Sequence, residues 1–308
     1  MTLTHDQAMA VLKSKGRSFH FASRLLAQTY RSRAARLYAF CRYVDDLADE
    51  SRDPTVAARE LDSLKVCLQS GHSEEPCVAS MIALMQELSM PLAPVQSLIS
   101  GVQSDLSPRR IADQAELIQY AYQVAGTVGL MMCVILDVRD RHAWPFAIDL
   151  GIAMQLTNIA RDVGEDAIKG RVYLPATWLG DITAADISHP TAADAITLQV
   201  ATQSILKLAQ QYYQSGLDGI RYLPPAARYG ILVAAMVYRE IGQMVAEADH
   251  RSWDRRAIVP YPRKLSCAAK ALIRYAVSIR QRKEHPQHAT YLHEHLQNCL
   301  GANTTASK

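Results

Sequence analysis

The chain has 308 residues, is 49% hydrophobic and 20% charged, and sets 33 Lys and Arg against 30 Asp and Glu for a net charge of +3. These proportions suit a globular protein with a large core and exclude a disordered or collagen-like chain. With no basic block and no basic patch interleaved with aromatics, nucleic-acid binding is excluded as a leading class.

The six Cys are scattered, without C-x-x-C or zinc spacing, so free core thiols in a reducing cytoplasm are expected. The first residues carry Asp6 and no apolar signal core, so no secretory leader is expected. In chain order, the pattern predicts a short helix over 4–15 ended by Gly16, with Ser18 as a helix cap. A second short apolar piece runs from Phe21 to Leu26. Residues 31–50 predict a strong helix, with Ala34, Leu37, Cys41, Val44 and Leu47 as its buried stripe. Tyr38, Arg42, Asp45 (or Asp46) and Asp49 form a polar row on that helix at spacings of three and four.

Helices are predicted over 54–70, 74–89 and 94–105, and their apolar stripes carry no evident chemistry. Asp105, Arg109 and Arg110 are read as part of a solvated loop. The helix over 113–137 holds Ala125, Gly126 and Gly129 at its middle. Glycine costs about 1 kcal/mol there relative to alanine, so a neighbour or an apolar substrate tail must come close. Tyr120 and Val124 share that side. The apolar run Val124–Leu136 is short of the roughly 20 residues a membrane span needs and reads as a buried helix.

From Pro145 a helix leads into GIAMQLTNIARDVGEDAIKGRVYLP, residues 151–175. Asn158, Asp162 and Asp166 recur every four residues and share one face. Lys169, Arg171 and Tyr173 follow as a basic, aromatic flap, and 176–195 reads as a surface connection or lid. Helices over 195–222, 226–250 and up to about 282 complete the chain, and 284–308 reads as a polar, flexible tail. The domain reading is thus one all-helical unit over 1–285 with a tail over 286–308.

Two acid pairs on two otherwise apolar helices need a common explanation. Like charges at i, i+4 cost about 0.2–0.5 kcal/mol when exposed, and more where water is excluded. Carboxylate and amide oxygens suit Mg²⁺, which keeps several waters and shares substrate phosphates. A divalent cation gripping a diphosphate between the two helices satisfies every charge, with Arg42 and Arg161 donating to phosphate oxygens.

From SFHFASRLL through LYAFCRYVDDLADE and YAYQVAGTVGL to QLTNIARDVGEDAIKGRVYLP, the chain resembles the squalene/phytoene synthase family, and within it the bacterial phytoene-forming members. The resemblance implies an all-α, isoprenoid-synthase-type bundle around a hydrophobic cavity. It implies head-to-head condensation of two allylic prenyl diphosphates with Mg²⁺ or Mn²⁺, without ATP or NADPH. Two geranylgeranyl diphosphates would give phytoene; farnesyl diphosphate would give presqualene diphosphate, dehydrosqualene or squalene. A non-catalytic helical scaffold is a third reading, disfavoured because every acid position is kept.

By position, Asp45 and Asp49 match the first metal motif, and Asn158, Asp162 and Asp166 the second. Arg42, Arg161, Arg171 and Tyr173 match diphosphate-side residues, with Arg256 at a late basic position. Ser18, Phe19 and Tyr38 match the substrate end, and Tyr120, Val124, Ala125, Gly129 and Tyr238 the channel. Tyr38 and Arg42 join the four Asp as residues expected to act in catalysis. The resemblance also implies a cytoplasmic protein at the inner face of the cell membrane, close to downstream carotenoid enzymes.

Overall fold

A computed structural model describes residues 2–51, 53–280 and 286–303, without the side chains of 277–280. Helix α1 (His5–Lys15) opens on a capping box between Thr4 and Gln7, which satisfies amides that a helix start leaves unpaired. After Gly16 comes α2 (Arg17–Ser23). Ser18 therefore lies inside a helix whose cap position is Gly16, not at the cap itself. The first acid row rides on α3 (Gln28–Asp49). The next helices are α4 (Pro54–Ser70), α5 (Pro76–Leu88) and α6 (Leu92–Gln103). Both α4 and α5 start on Pro, where its missing N–H costs nothing.

The helix expected over 113–137 is α7 (Gln114–Ala121), a π-helical turn at Tyr122–Gly126, and α8 (Thr127–Ile135). By length and composition Gln114–Ile135 could cross a membrane, but it packs against α6 and α9. Gly129 makes that packing close: a Cβ there would lie 2.1 Å from the Ala147 carbonyl oxygen. The mid-helix glycine thus serves a helix–helix contact.

The centre of the fold is α9 (Trp144–Ile168), with Ile152, Ala153, Leu156 and Ala160 fully buried. Around it lie α7, α8, α12 (Ala192–Asp218) and α13 (Pro225–Glu247). The stretch 176–195 contains α10 (Ala176–Leu179) and α11 (Ala184–Ser188), fixed by buried Leu179, Ile182 and Ile187. On the outside, α14 (Tyr261–Arg280) packs on α13. Among the described residues the strands are β1 (Arg109–Arg110) and β2 (Arg171–Val172), parallel, with Arg109 opposite Arg171. One core cluster centres on α9 and α12, another on α3, α5 and α6. Phe19, Val124 and Trp144 touch both and mark the seam between them.

The reading of 286–308 as a flexible tail is corrected for 286–303. Leu292, Leu296 and Ala302 are buried. The Tyr212 hydroxyl donates to Leu292 O at 2.7 Å and the Tyr122 hydroxyl to Leu300 O at 2.9 Å. The anchor is Asp149 on α9, fully buried, with His288 Nε2 and His293 Nε2 each 2.7 Å from its carboxylate and the Ser215 hydroxyl donating to it. His293 Nδ1 meets Ala302 O at 2.6 Å, so both ring nitrogens face acceptors. Polar composition hid this strap because its anchors are single buried side chains. The last five residues, 304–308, lie outside the described residues.

Burial would raise the Asp149 carboxyl, but the hydrogen bonds from His288 and His293 hold it below its usual value. Its folded value is thus below the unfolded one. The contribution of these bonds is present above the unfolded carboxyl pKa of about 4 and is lost as pH falls below it. Replacing His293 by Ala leaves a buried acceptor unpaired and should cost about 1–3 kcal/mol in urea unfolding at pH 7. That deficit should shrink below pH 4; a pH-independent deficit would contradict the ionic anchor.

Candidate active site

Both acid rows sit on helices for the reason their sequences give, an apolar stripe on one side and a polar row on the other. On α3, Arg42 pairs with Asp46. Asp45 is raised to about 7 by burial, against the pull of Arg42, with Asp49, Asp46 and Asp105 adding to the rise. Asp49 is different. Burial raises it, but Arg171 Nη1 at 2.7 Å and Lys169 Nζ at 3.0 Å hold it below the ordinary carboxylate value. The flap after α9 therefore reaches back to α3.

On α9 the helix bends at Asp162, whose φ of −104° and ψ of 15° leave the helical region. Gly164 allows the bend to be covered: a Cβ there would lie 2.8 Å from Trp253 O. That close approach brings Arg256 Nε to 2.9 Å from Asp162 Oδ1 and its Nη1 to 3.2 Å from Glu165. Arg161 Nε donates to the same Asp162 at 2.7 Å. Asp166 is raised to about 7 by burial and by Asp162, with Arg171 and Lys169 opposing and Asp105 adding.

Asp105 is the residue that sequence reasoning missed. It feels both walls, since it contributes to the rise of Asp45 and of Asp166. Its own carboxyl is raised by burial, only partly offset by hydrogen bonds from Tyr120 and Tyr173. The Tyr120 hydroxyl donates to it at 2.7 Å. Tyr120 and Tyr173 stack with centroids 4.9 Å apart, and the Arg109 guanidinium lies 4.6 Å over the Tyr120 ring. The solvated-loop reading of 105–110 is thus corrected. The loop is pinned by the β1–β2 pairing and by Arg110 donating to Ile182 O at 2.6 Å. The signal available was the parallel polar spacing of Asp105 and Arg109; the partner strand lies some sixty residues away and leaves no local trace.

Below the acids lies the aromatic seam. Phe19 contacts Tyr238 with centroids 4.7 Å apart and Tyr38 at 6.0 Å. Gly16 lets Tyr38 lie flat against the turn, since a Cβ there would come within 2.7 Å of its ring. Burial pushes Tyr38 upward, and Tyr238 up to about 12, so both stay neutral phenols. Val124 sits at the seam. The Ala125 carbonyl, like Gly129, meets α9, at Gly151.

The residues present fit hard divalent cations. They supply carboxylates and one amide, the oxygen ligands such ions take. The buried Asn158 Oδ1 and Asp105 Oδ1 have no hydrogen-bond partner, and an orphaned buried acceptor is costly unless something binds it. The ligand atoms of Asp149, His288 and His293 also lie within 4.8 Å of one another. That group is thirteen residues before Asp162, roughly 20 Å along α9. It is therefore separate from the acid walls, and its 2.7 Å contacts are hydrogen-bond distances.

The squalene/phytoene synthase family model matches residues 12–264. The chain is 36% identical over 287 residues to the phytoene synthase of Cereibacter sphaeroides, covering 89% of this chain and 80% of that one. It is 32% identical over 273 residues to the 15-cis-phytoene synthase of Pantoea ananas, covering 85% and 88%. A dehydrosqualene synthase crystal structure in complex with ligand superposes with a TM-score of 0.79 at 26% identity, covering 89% of this chain and 96% of that one.

Asp45 and Asp166, raised to about 7, set a pH dependence. Their folded values exceed the unfolded value of about 4. Stability is fully present below that value and falls as pH rises through about 7. In chelator, the melting temperature should therefore drop between pH 5 and pH 8, and Asp45→Asn should flatten the drop. An unchanged slope in Asp45→Asn would remove the reading of Asp45 as a buried carboxyl that titrates near 7.

Proposed function

Because the chain belongs to the squalene/phytoene synthase family, we propose that it joins two geranylgeranyl diphosphates head to head, through prephytoene diphosphate, to give phytoene and diphosphate. The observation that carries this is the joining of the acid row of α3 to the flap that follows the acid row of α9, through Lys169 and Arg171 on Asp49, beside an aromatic seam. Relatives named phytoene synthase at 32–36% identity over most of the chain favour geranylgeranyl over farnesyl diphosphate.

Asp45, Asp49, Asn158, Asp162 and Asp166 would hold Mg²⁺ or Mn²⁺, which when bound takes up charge developing on the departing diphosphate. Arg42, Arg161 and Arg171 donate charge-assisted hydrogen bonds to phosphate oxygens. Lys169 and Arg171 exchange their bonds to Asp49 for bonds to substrate, so the flap closes on the diphosphate it recognises. Departure of the first diphosphate leaves an allylic cation. The double bond of the second substrate attacks it, loses a proton and closes the cyclopropane. Ionisation of that intermediate, rearrangement and loss of a second proton give the triene. The faces of Phe19, Tyr38 and Tyr238 stabilise the cations by about 0.5–2 kcal/mol each. The buried seam keeps water from quenching them. Tyr120 and Val124 border the path of the apolar chain, and Asp105 orients Tyr120 through their hydrogen bond. No reduced nicotinamide enters this reaction. The protein works in the cytoplasm, at the inner face of the cell membrane, and hands an oily product to downstream carotenoid enzymes.

Mass spectrometry of products tests the reading. Purified protein with Mg²⁺ and geranylgeranyl diphosphate in detergent should yield phytoene, and none in chelator. Asp49→Asn or Asp166→Asn should lower turnover by roughly a thousandfold or more with helicity retained. Turnover of farnesyl diphosphate alone, or near-wild-type activity in either variant, would overturn it.

A further inference from the structure

The outward side of α14 has the wrong polarity for water. Tyr261, Leu265, Leu272 and Ile273 are 60%, 49%, 54% and 69% exposed. Ala269 and Ala276 are exposed beside them. At 100° per residue these side chains cover roughly a third of the helix circumference. Through Ala276, the one charged residue among the exposed positions is Lys270. Single exposed apolar residues need no explanation, but a continuous apolar arc does.

The charges around the arc have one sign. The sequence of α14 contains Arg263, Lys264, Lys270, Arg274 and Arg280 and no Asp or Glu. Lys270 and Arg274 make no ion pair among the described residues. Nearby Glu240 and Glu247 are held by Arg263 at 3.1 and 2.7 Å. At its N-terminal end α14 meets α2: Phe21 packs edge-on against Tyr261 at 5.9 Å, and Lys264 Nζ reaches Arg17 O at 3.4 Å. More cations gather there. Burial lowers the His20 proton affinity, and Arg24, Lys13 and Lys264 lower it further. Arg17 and Arg24 are exposed, with Leu25 38% exposed beside them.

We propose that the outer face of α14, together with the exposed cations of α2, docks flat on an anionic lipid bilayer. The proposal rests on the membrane location given above and supplies the surface for it. A basic amphipathic helix lies in the interface plane with its apolar arc among the acyl chains and its cations at the headgroups. A second copy of the chain is a poorer occupant. In a two-fold contact each surface meets itself, so a face whose charges are all positive would meet another such face. Docking also has a consequence for traffic. The short helix α2 carries Phe21 toward the docking face and Phe19 into the aromatic seam. Helix α2 then stands between the docking face and the seam, on the side from which apolar substrates and product enter and leave.

Sedimentation of the full-length protein with vesicles tests this. Phosphatidylcholine vesicles containing phosphatidylglycerol should pellet it, and pure phosphatidylcholine should do so far less. Leu272→Asp with Ile273→Asp should weaken binding by roughly tenfold or more. Lys270→Glu with Arg274→Glu should weaken it by about fivefold per cation and reduce its salt dependence. Both double variants should keep wild-type helicity and wild-type phytoene formation in detergent. Wild-type binding by both variants would overturn the assignment of this face. So would a wild-type dimer that Leu272→Asp with Ile273→Asp splits. Phytoene formation in detergent is read separately, so a failure of the catalytic reading is distinguishable from a failure of the docking face.

Discussion

Asp45, Asp105 and Asp166 are carboxylates drawn out of water beside Asp49 and Asp162, and the rest of the site is arranged around the cost of that burial and the repulsion added to it. Two of them are raised to about 7 in the protein alone. The remainder are held by the protein's own cations and phenols. Lys169 and Arg171 hold Asp49, Arg161 and Arg256 hold Asp162, and Tyr120 holds Asp105. Such an arrangement is poor for stability. A buried charge without full compensation costs several kcal/mol, and helices with apolar faces of this quality could dispense with it. Retaining it makes sense where the compensation arrives with the substrate.

The acid rows were legible because helical spacing is a local signal. Asn158, Asp162 and Asp166 share a face once the apolar run around them is recognised. Two such rows on apolar helices point to a cation-held diphosphate before any fold is known. What was not legible was long-range. Asp105 became part of the site through a two-residue strand pair joining Arg109 to Arg171, and nothing near residue 109 announces its partner. Gly129 could be a substrate groove or a packing contact from sequence alone. The Ala147 carbonyl decides for packing. Ser18 reads as a cap because glycine so often ends a helix; here Gly16 itself is the junction.

The strap over 286–303 is the largest departure from the sequence reading, for a similar reason. Its composition is polar, yet His288 and His293 converge on Asp149, a carboxylate on the apolar side of α9. A buried Asp in a helix core calls for partners, and they come from nearly the other end of the chain. The helix that carries the second acid row is thereby fixed at its base by one buried hydrogen-bond network and engaged at its tip by Arg161 and Arg256.

The central claim is that opposed acids on α3 and α9 grip divalent cations bound to a diphosphate. A crystal structure with Mn²⁺ and a non-reacting thiodiphosphate analogue of the substrate tests it most directly. Anomalous peaks should appear about 2.0–2.3 Å from oxygens of Asp45 or Asp49 and of Asn158, Asp162 or Asp166, bridged by the diphosphate. Peaks confined to Asp149, His288 and His293, or a diphosphate held by Arg and Lys with no metal between the two helices, would contradict it.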